Sequence, residues 1–312
     1  MPFIDIHLFI MAATLGWALA RSGLCAVAAM QDCVMHGRFA ALWLKLTVLM
    51  IVTCALGGLN LLTGSIGSYA GTGGAWHISA LAAAFMAIGT MINGGCYFGS
   101  FLYICRGRSD YMMTLLGIML ASRFSIAMKA GVVAHTALKP APGPQSLAVV
   151  TVLALLIATV AAFASLRSGG SLIRTRLNNI LLAGLAAAVI YFKKPGWSYG
   201  GVLASLGTLD RNGFDWYQQA MGVALFGGAI ASSVRAGLWK AEGLTLVGST
   251  RCLAGGFVME SAAHMIPGGN DALLLWAMPA LGLYAVLAYA VLLVVLWVAF
   301  VFLKRDAKGI SA

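Results

Sequence analysis

The chain has 312 residues, of which 61% are hydrophobic and 9% charged, and its mean hydropathy is +0.92. This composition excludes a soluble globular domain and marks a polytopic all-α membrane protein. The net charge of +11 would suit nucleic acid if it were gathered on one face, but the basic residues are spread through short loops, so no nucleic-acid partner is expected.

Apolar blocks between polar or Gly/Pro punctuation predict nine crossings, at 3–20, 39–62, 78–105, 111–138, 146–166, 177–193, 216–234, 244–265 and 271–303. The first block lacks a basic leader, so no cleavable signal peptide is expected. Ser22 to Met35 is apolar but too short to cross, and reads as a re-entrant half-helix. The third block is interrupted at Gly94-Gly95 and the eighth at Gly248-Ser249-Thr250-Arg251, while Trp197 to Leu209 is a further short element. Loops on one side carry twelve Lys and Arg, among them Arg21, Arg38, Arg106, Arg235 and Lys304; the other side carries Lys139, Lys193, Lys194 and Arg211. The positive-inside rule then puts the N-terminus outside and the C-terminus in the cytoplasm.

The chain reads as a single transmembrane domain, 1–312, with a faint repeat between halves 1–140 and 177–303. C-Y-F-G-S-F from Cys96 matches C-L-A-G-G-F from Cys252, and G-R-S-D ending at Asp110 matches G-G-N-D ending at Asp271. The copies start on opposite sides of the membrane, as an inverted repeat requires, and such repeats place their site near the midplane.

Cys25, Cys96 and Cys252 each follow a breaker or cap and are expected in the first turn of a helix. Unpaired N–H groups and the positive dipole end there favour an anion. Cys33, Cys54 and Cys105 read as small apolar fillers. No C-x-x-C and no close cysteine pair is visible, and no metal or cofactor is expected. Among ionisable residues at depth, Arg123, Lys129 and Arg251 are functional candidates, with Glu260 as the clearest acid and His264 one turn beyond it. Lys45 reads as snorkelling to an interface. Asp110 and Asp271 read as caps of the helices they open. No G-x-x-x-x-G-K-[ST] loop occurs, so ATP drive within this chain is not expected.

The motifs R-S-G-L-C at Arg21 to Cys25, N-G-G-C-x-x-G at Asn93 to Gly99, and R-C-L-A-G-G-F…P-G-G-N-D-A-L-L-L from Arg251 to Leu275 together resemble the YeeE/YedE sulfur-transport family. The resemblance implies a bacterial inner-membrane protein of nine helices, with short helices dipping to a cysteine-lined waist, and uptake of thiosulfate or a related small sulfur anion. It implies pathway roles for Cys25, Cys96 and Cys252, with Asn93, Gly95, Gly99, Arg251 and Gly255 in the same motifs, and a cytoplasmic sulfurtransferase as a candidate partner. Tyr97, Phe98, Glu260 and His264 depart from the family pattern. The alternatives are a membrane thiol oxidoreductase, or transport of a selenium oxyanion or another sulfur species.

Overall fold

Residues 6–63, 68–69, 76–127, 139–140, 144–168, 171–208, 215–266 and 268–309 are described in a computed structural model. Apart from a two-residue antiparallel pairing of Ser68–Tyr69 with Lys139–Pro140, the regular structure among the described residues is helical. Among the described residues, six stretches are long and apolar enough to cross a membrane, as expected where lipid offers no partner for unpaired backbone groups. The protein is therefore all-α and multi-pass.

The helices form four long–short–long units. The first is α1 (Ile6–Ser22), α2 (Ala26–His36) and α3 (Ala40–Thr63); the second is α4 (Trp76–Asn93), α5 (Tyr97–Cys105) and α6 (Met112–Ala127). After α7 (Pro144–Ser168) come α8 (Ser171–Lys193), α9 (Tyr199–Thr208) and α10 (Trp216–Arg235). The last unit is α11 (Leu246–Met265), α12 (Asn270–Ala272, continued as a π turn Leu273–Ala277) and α13 (Leu283–Gly309).

Each short helix follows a break made by a glycine in the left-handed region: Gly23 at φ 71°, Gly94 at 73°, Gly196 at 77° and Gly268 at 102°. A side chain would be strained there, so glycine lets a helix stop and restart within a few residues. The long helices then pack almost backbone to backbone. A Cβ at Gly16 of α1 would collide with the Leu225 carbonyl of α10, and one at Gly228 of α10 with that of Ala13. Gly117 of α6 meets Leu253 of α11 in the same way, and Gly256 of α11 meets Thr114. Small residues admit this approach, which maximises dispersion contacts between helices already surrounded by apolar lipid. By contrast α7, packed mainly on α3, exposes Val149, Leu153, Leu156, Val160 and Phe163.

The expected half-helix at 22–35, the short element beginning at Trp197 and the break at Gly94-Gly95 are present as α2, α9 and the α4–α5 junction. Three expectations are corrected. The block 271–303 is not continuous, because the chain turns at Leu281 (φ 60°) before α13 begins. The sequence Gly248 to Arg251 is not a break: Thr245 caps α11 through the Gly248 N–H at 3.1 Å, and the helix runs on through Arg251. Asp110 does not cap its own helix. Its carboxylate accepts from the Thr245 N–H at 2.7 Å, the Thr245 hydroxyl at 2.9 Å and the Ser249 hydroxyl at 3.2 Å, and so anchors the start of α11. Lys129 and the residues of the 111–138 crossing beyond 127 lie outside the described residues.

Candidate functional site

The thiols of Cys25 and Cys96 meet in the buried interior. Cys25 stands at the N-cap of α2 and Cys96 at the N-cap of α5, both with extended backbone. Two helix N-termini therefore converge, and the first amide of α2, that of Ala26, donates to the Cys96 sulfur at 3.2 Å. The two sulfurs are 3.6 Å apart. This overturns the expectation that no close cysteine pair exists; nothing in sequence spacing links positions 25 and 96, which only the fold brings together.

Lys45 completes this centre, and here too sequence reasoning misplaced a residue. It does not snorkel: it is 3% exposed, and its ammonium donates to the Leu24 carbonyl, one residue before Cys25. Its charge acts on both Cys96 and Cys25. A buried ammonium is costly unless an anion or dipole answers it, so its place beside two thiols and two helix N-termini makes the centre electropositive. The available sequence signal was its position, six residues into an otherwise apolar helix.

Gly99 faces the pair from α5, where an added Cβ would stand 2.7 Å from the Cys25 sulfur. Gly99 and Cys25 also line a cavity of about 140 Å³ whose wall includes Tyr103, Arg106 and Arg176. At about 30 Å³ per water, this is room for roughly four waters or one small oxyanion. Arg106 donates through one guanidinium nitrogen to the Ala20 carbonyl at 3.3 Å, while its buried Nε has no protein partner.

The remaining candidates sit behind the bend rather than beside the thiol pair. Asn93 donates to the Gly95 carbonyl at 2.6 Å and the Ser100 hydroxyl at 2.7 Å, and accepts from the Thr114 hydroxyl at 2.7 Å. Its amide thus holds the broken backbone between α4 and α5. Gly255 of α11 backs onto Asn93, and the Arg251 guanidinium packs on Gly94, within 3.3 Å of where a Cβ would stand. Cys252 is fully buried with its sulfur 3.9 Å from the Asn93 carbonyl. It lies in the second turn of α11, not the first as expected, because the helix starts at Leu246. Arg251 also borders a surface cavity with Arg108, Asp110 and Glu242, where Arg108 and Glu242 pair at 2.9 Å. Arg123 is exposed and donates to the Thr208 carbonyl at 3.5 Å, away from the pair.

All six cysteines are free thiols, and among the described residues no three His, Cys, Asp or Glu gather as a metal site. The convergence of thiols, helix N-termini and a buried ammonium can hold a small anion without metal or covalent chemistry. No protein-family model matches the chain, and no curated protein matches it.

Proposed function

We propose that this is a YeeE/YedE-like transporter of the bacterial inner membrane that takes up thiosulfate or a related small sulfur anion through the Cys25–Cys96 constriction. One observation carries the reading: two half-helix N-termini bring thiols to 3.6 Å of each other beside buried Lys45. In this reading α1, α3, α4, α6, α7, α8, α10, α11 and α13 are nine crossings, and α2, α5, α9 and α12 are the pieces between them. The N-terminus is outside, and the cavity lined by Arg106 and Arg176 opens to the cytoplasm.

The contacts favour an inverted repeat, paired differently from the sequence match. α1 packs on α8 and α10 as α11 packs on α4 and α6, and α3 packs on α8 as α13 packs on α4. The first unit thus corresponds to the fourth and the second to the third, so Cys25 corresponds to the α11–α12 junction and Cys96 to the α8–α9 junction. Cys96 and Cys252 are not partners in this symmetry.

An incoming dianion exchanges water for the S–H groups of Cys25 and Cys96, the amides of α2 and α5, and the charge of Lys45. Weak, successive donors release the ion as readily as they hold it. It then moves to the arginine-lined cavity. Cys252, Arg251, Asn93, Gly95 and Gly255 build the bend that aims α5, and a cytoplasmic sulfurtransferase is a candidate acceptor. The test is growth of a thiosulfate-dependent bacterial strain lacking its own importers. The protein should restore growth and Cys96→Ala should not; failure of the wild type under confirmed membrane expression refutes the cargo.

The thiol contact also favours a second reading, a membrane thiol oxidoreductase. Trapping a mixed disulfide between Cys25 or Cys96 and a partner protein would establish it, whereas transport without such an adduct rules it out.

A further inference from the structure

A second buried cluster lies next to the thiol pair and plays no part in holding an anion. Tyr97 follows Cys96 as the first residue of α5, and its hydroxyl is 2.5 Å from Glu260 Oε2. Glu260, in α11, is 4% exposed, and its other oxygen accepts from the Ser122 hydroxyl of α6 at 3.2 Å. Asp271 of α12 is equally buried: its Oδ2 is 3.5 Å from the Gly200 N–H, while its Oδ1 has no partner and lies beside the Tyr97 ring near Gly200 and Gly269. The two carboxyls act on one another electrostatically.

The groups facing them are few. On α11 itself, His264 places Nδ1 2.9 Å from the Glu260 carbonyl and 3.3 Å from Oε1. From α9 comes Tyr199, whose hydroxyl donates to the Tyr97 carbonyl, from α8 comes Tyr191, on the Asp271 side, and the Cys96 thiol also faces Asp271. α4 and α6 pack on α11, but their ionisable groups His77 and Arg123 are exposed. Among the described residues no Lys or Arg forms an ion pair with either carboxyl.

We propose that Glu260, with Asp271, is a proton-binding site that couples anion uptake to inward proton movement; the coupling rests on the transport reading above, whereas proton binding does not. Two ionised carboxylates this deeply buried with no Lys or Arg partner are costly, so each holds a proton or draws one from a neighbour such as His264. A hard metal cation is the poorer occupant, because such ions take six or more oxygen ligands and Glu260 is instead met by two hydroxyl donors. His264, whose side chain is 21% exposed, links Glu260 to the surface. Tyr97 links Glu260 to α5, so loading the carboxyl with a proton and receiving an anion at Cys96 act on one half-helix. Beside the anion path, neutral carboxyls admit a dianion that ionised ones repel. Each proton accepted from outside is released inside, and two protons balance the charge of one dianion.

The experiment uses the full chain in lipid. Infrared difference spectra of the wild type against Glu260→Gln and Asp271→Asn at neutral pH should show the C=O stretch of a protonated carboxyl in the wild type, diminished in Glu260→Gln. Absence of a Glu260-dependent band overturns the proton site, whatever the cargo. In proteoliposomes, an inward gradient of about one pH unit should sustain about tenfold accumulation of labelled thiosulfate per coupled proton, and Glu260→Gln should only equilibrate it. Wild-type uptake that ignores the pH gradient, or follows a sodium gradient instead, overturns the coupling and leaves the cargo standing. Absence of any thiosulfate entry refutes the cargo, and the infrared band still decides the proton site.

Discussion

Replacing Gly99 by alanine tests the thiol contact most directly. The new Cβ would stand 2.7 Å from the Cys25 sulfur and 3.8 Å from the Cys25 Cβ, so only the sulfur is crowded. To regain a contact near 3.4 Å, the sulfur must move by about 0.7 Å, which turns χ1 by roughly 25° and costs about 0.5–1.5 kcal/mol. That lies at or below the ~1–3 kcal/mol typical of overpacking, so the protein should fold with a slightly lowered melting temperature. The thiols, however, no longer meet at 3.6 Å. If the waist loses about 1–2 kcal/mol of differential binding, uptake falls by a factor of about 5–30. The assay is labelled thiosulfate uptake in cells normalised to membrane-inserted protein, with the rate of copper-catalysed Cys25–Cys96 cross-linking as a readout independent of cargo. Gly58→Ala on α3, where an added Cβ meets nothing within 4 Å, is the control. Uptake and cross-linking equal to that control would refute the reasoning.

Lys45→Met keeps the length of the side chain but removes the charge and leaves the Leu24 carbonyl unsatisfied. A stability loss of about 1–3 kcal/mol is expected, together with weaker binding seen as a raised KM for uptake; an unchanged KM would exclude Lys45 from the ion's path. Gly255→Ala puts a Cβ 2.6 Å from the Asn93 backbone nitrogen, which cannot rotate away. This variant should separate α11 from α4 and lower the monodisperse yield after detergent extraction, whereas Gly58→Ala should not. At the surface, the Thr245 N–H, followed by the Thr245 and Ser249 hydroxyls, holds the Asp110 carboxyl below its ordinary value of 3.8. A carboxyl depressed in the folded state contributes stability above its unfolded value and loses it as the pH falls through the folded one. A spin label at Leu244 should therefore keep constant mobility down to about pH 4 and gain mobility only below that, while Asp110→Asn should be mobile already at neutral pH.

Much of the helical layout was legible because apolar runs and glycine breaks are local signals. Gly94-Gly95 announced the α4–α5 junction, and a 14-residue apolar run announced α2. What sequence could not supply was which ends meet. Cys25 and Cys96 are read as separate thiols until the fold puts α2 and α5 tip to tip, and Lys45 looks like an interfacial residue until Leu24 is seen to lie over its ammonium. The matching strings at Cys96 and Cys252 fold into different settings: one cysteine begins a half-helix, while the other sits a full turn inside a helix whose start is fixed by Thr245 and, across the chain, by Asp110. The contacts of Asp110 with Thr245 and Ser249 are long-range, whereas the Thr245 cap on the Gly248 N–H is a local signal that the Gly-Ser-Thr reading passes over.

The charge of the proposed cargo bears on why a second cluster should lie so close to the first. Moving one elementary charge against a membrane potential involves about 2.3 kcal/mol per 100 mV, so a dianion entering an interior-negative cell meets about twice that. A constriction built only of thiols, amides and Lys45 lowers the barrier at the waist but leaves this difference untouched, and would let the ion run outward. Two buried carboxyls offer a stoichiometry that cancels both charges, and Tyr97, the residue after Cys96, ties Glu260 of α11 to the half-helix that carries the thiol. If so, Glu260→Gln and Lys45→Met should differ in kind. The first should preserve exchange of labelled for unlabelled thiosulfate across the membrane while abolishing accumulation, and the second should slow exchange and accumulation together. Equal loss of both activities in Glu260→Gln would show that the carboxyl serves the waist itself and not the coupling.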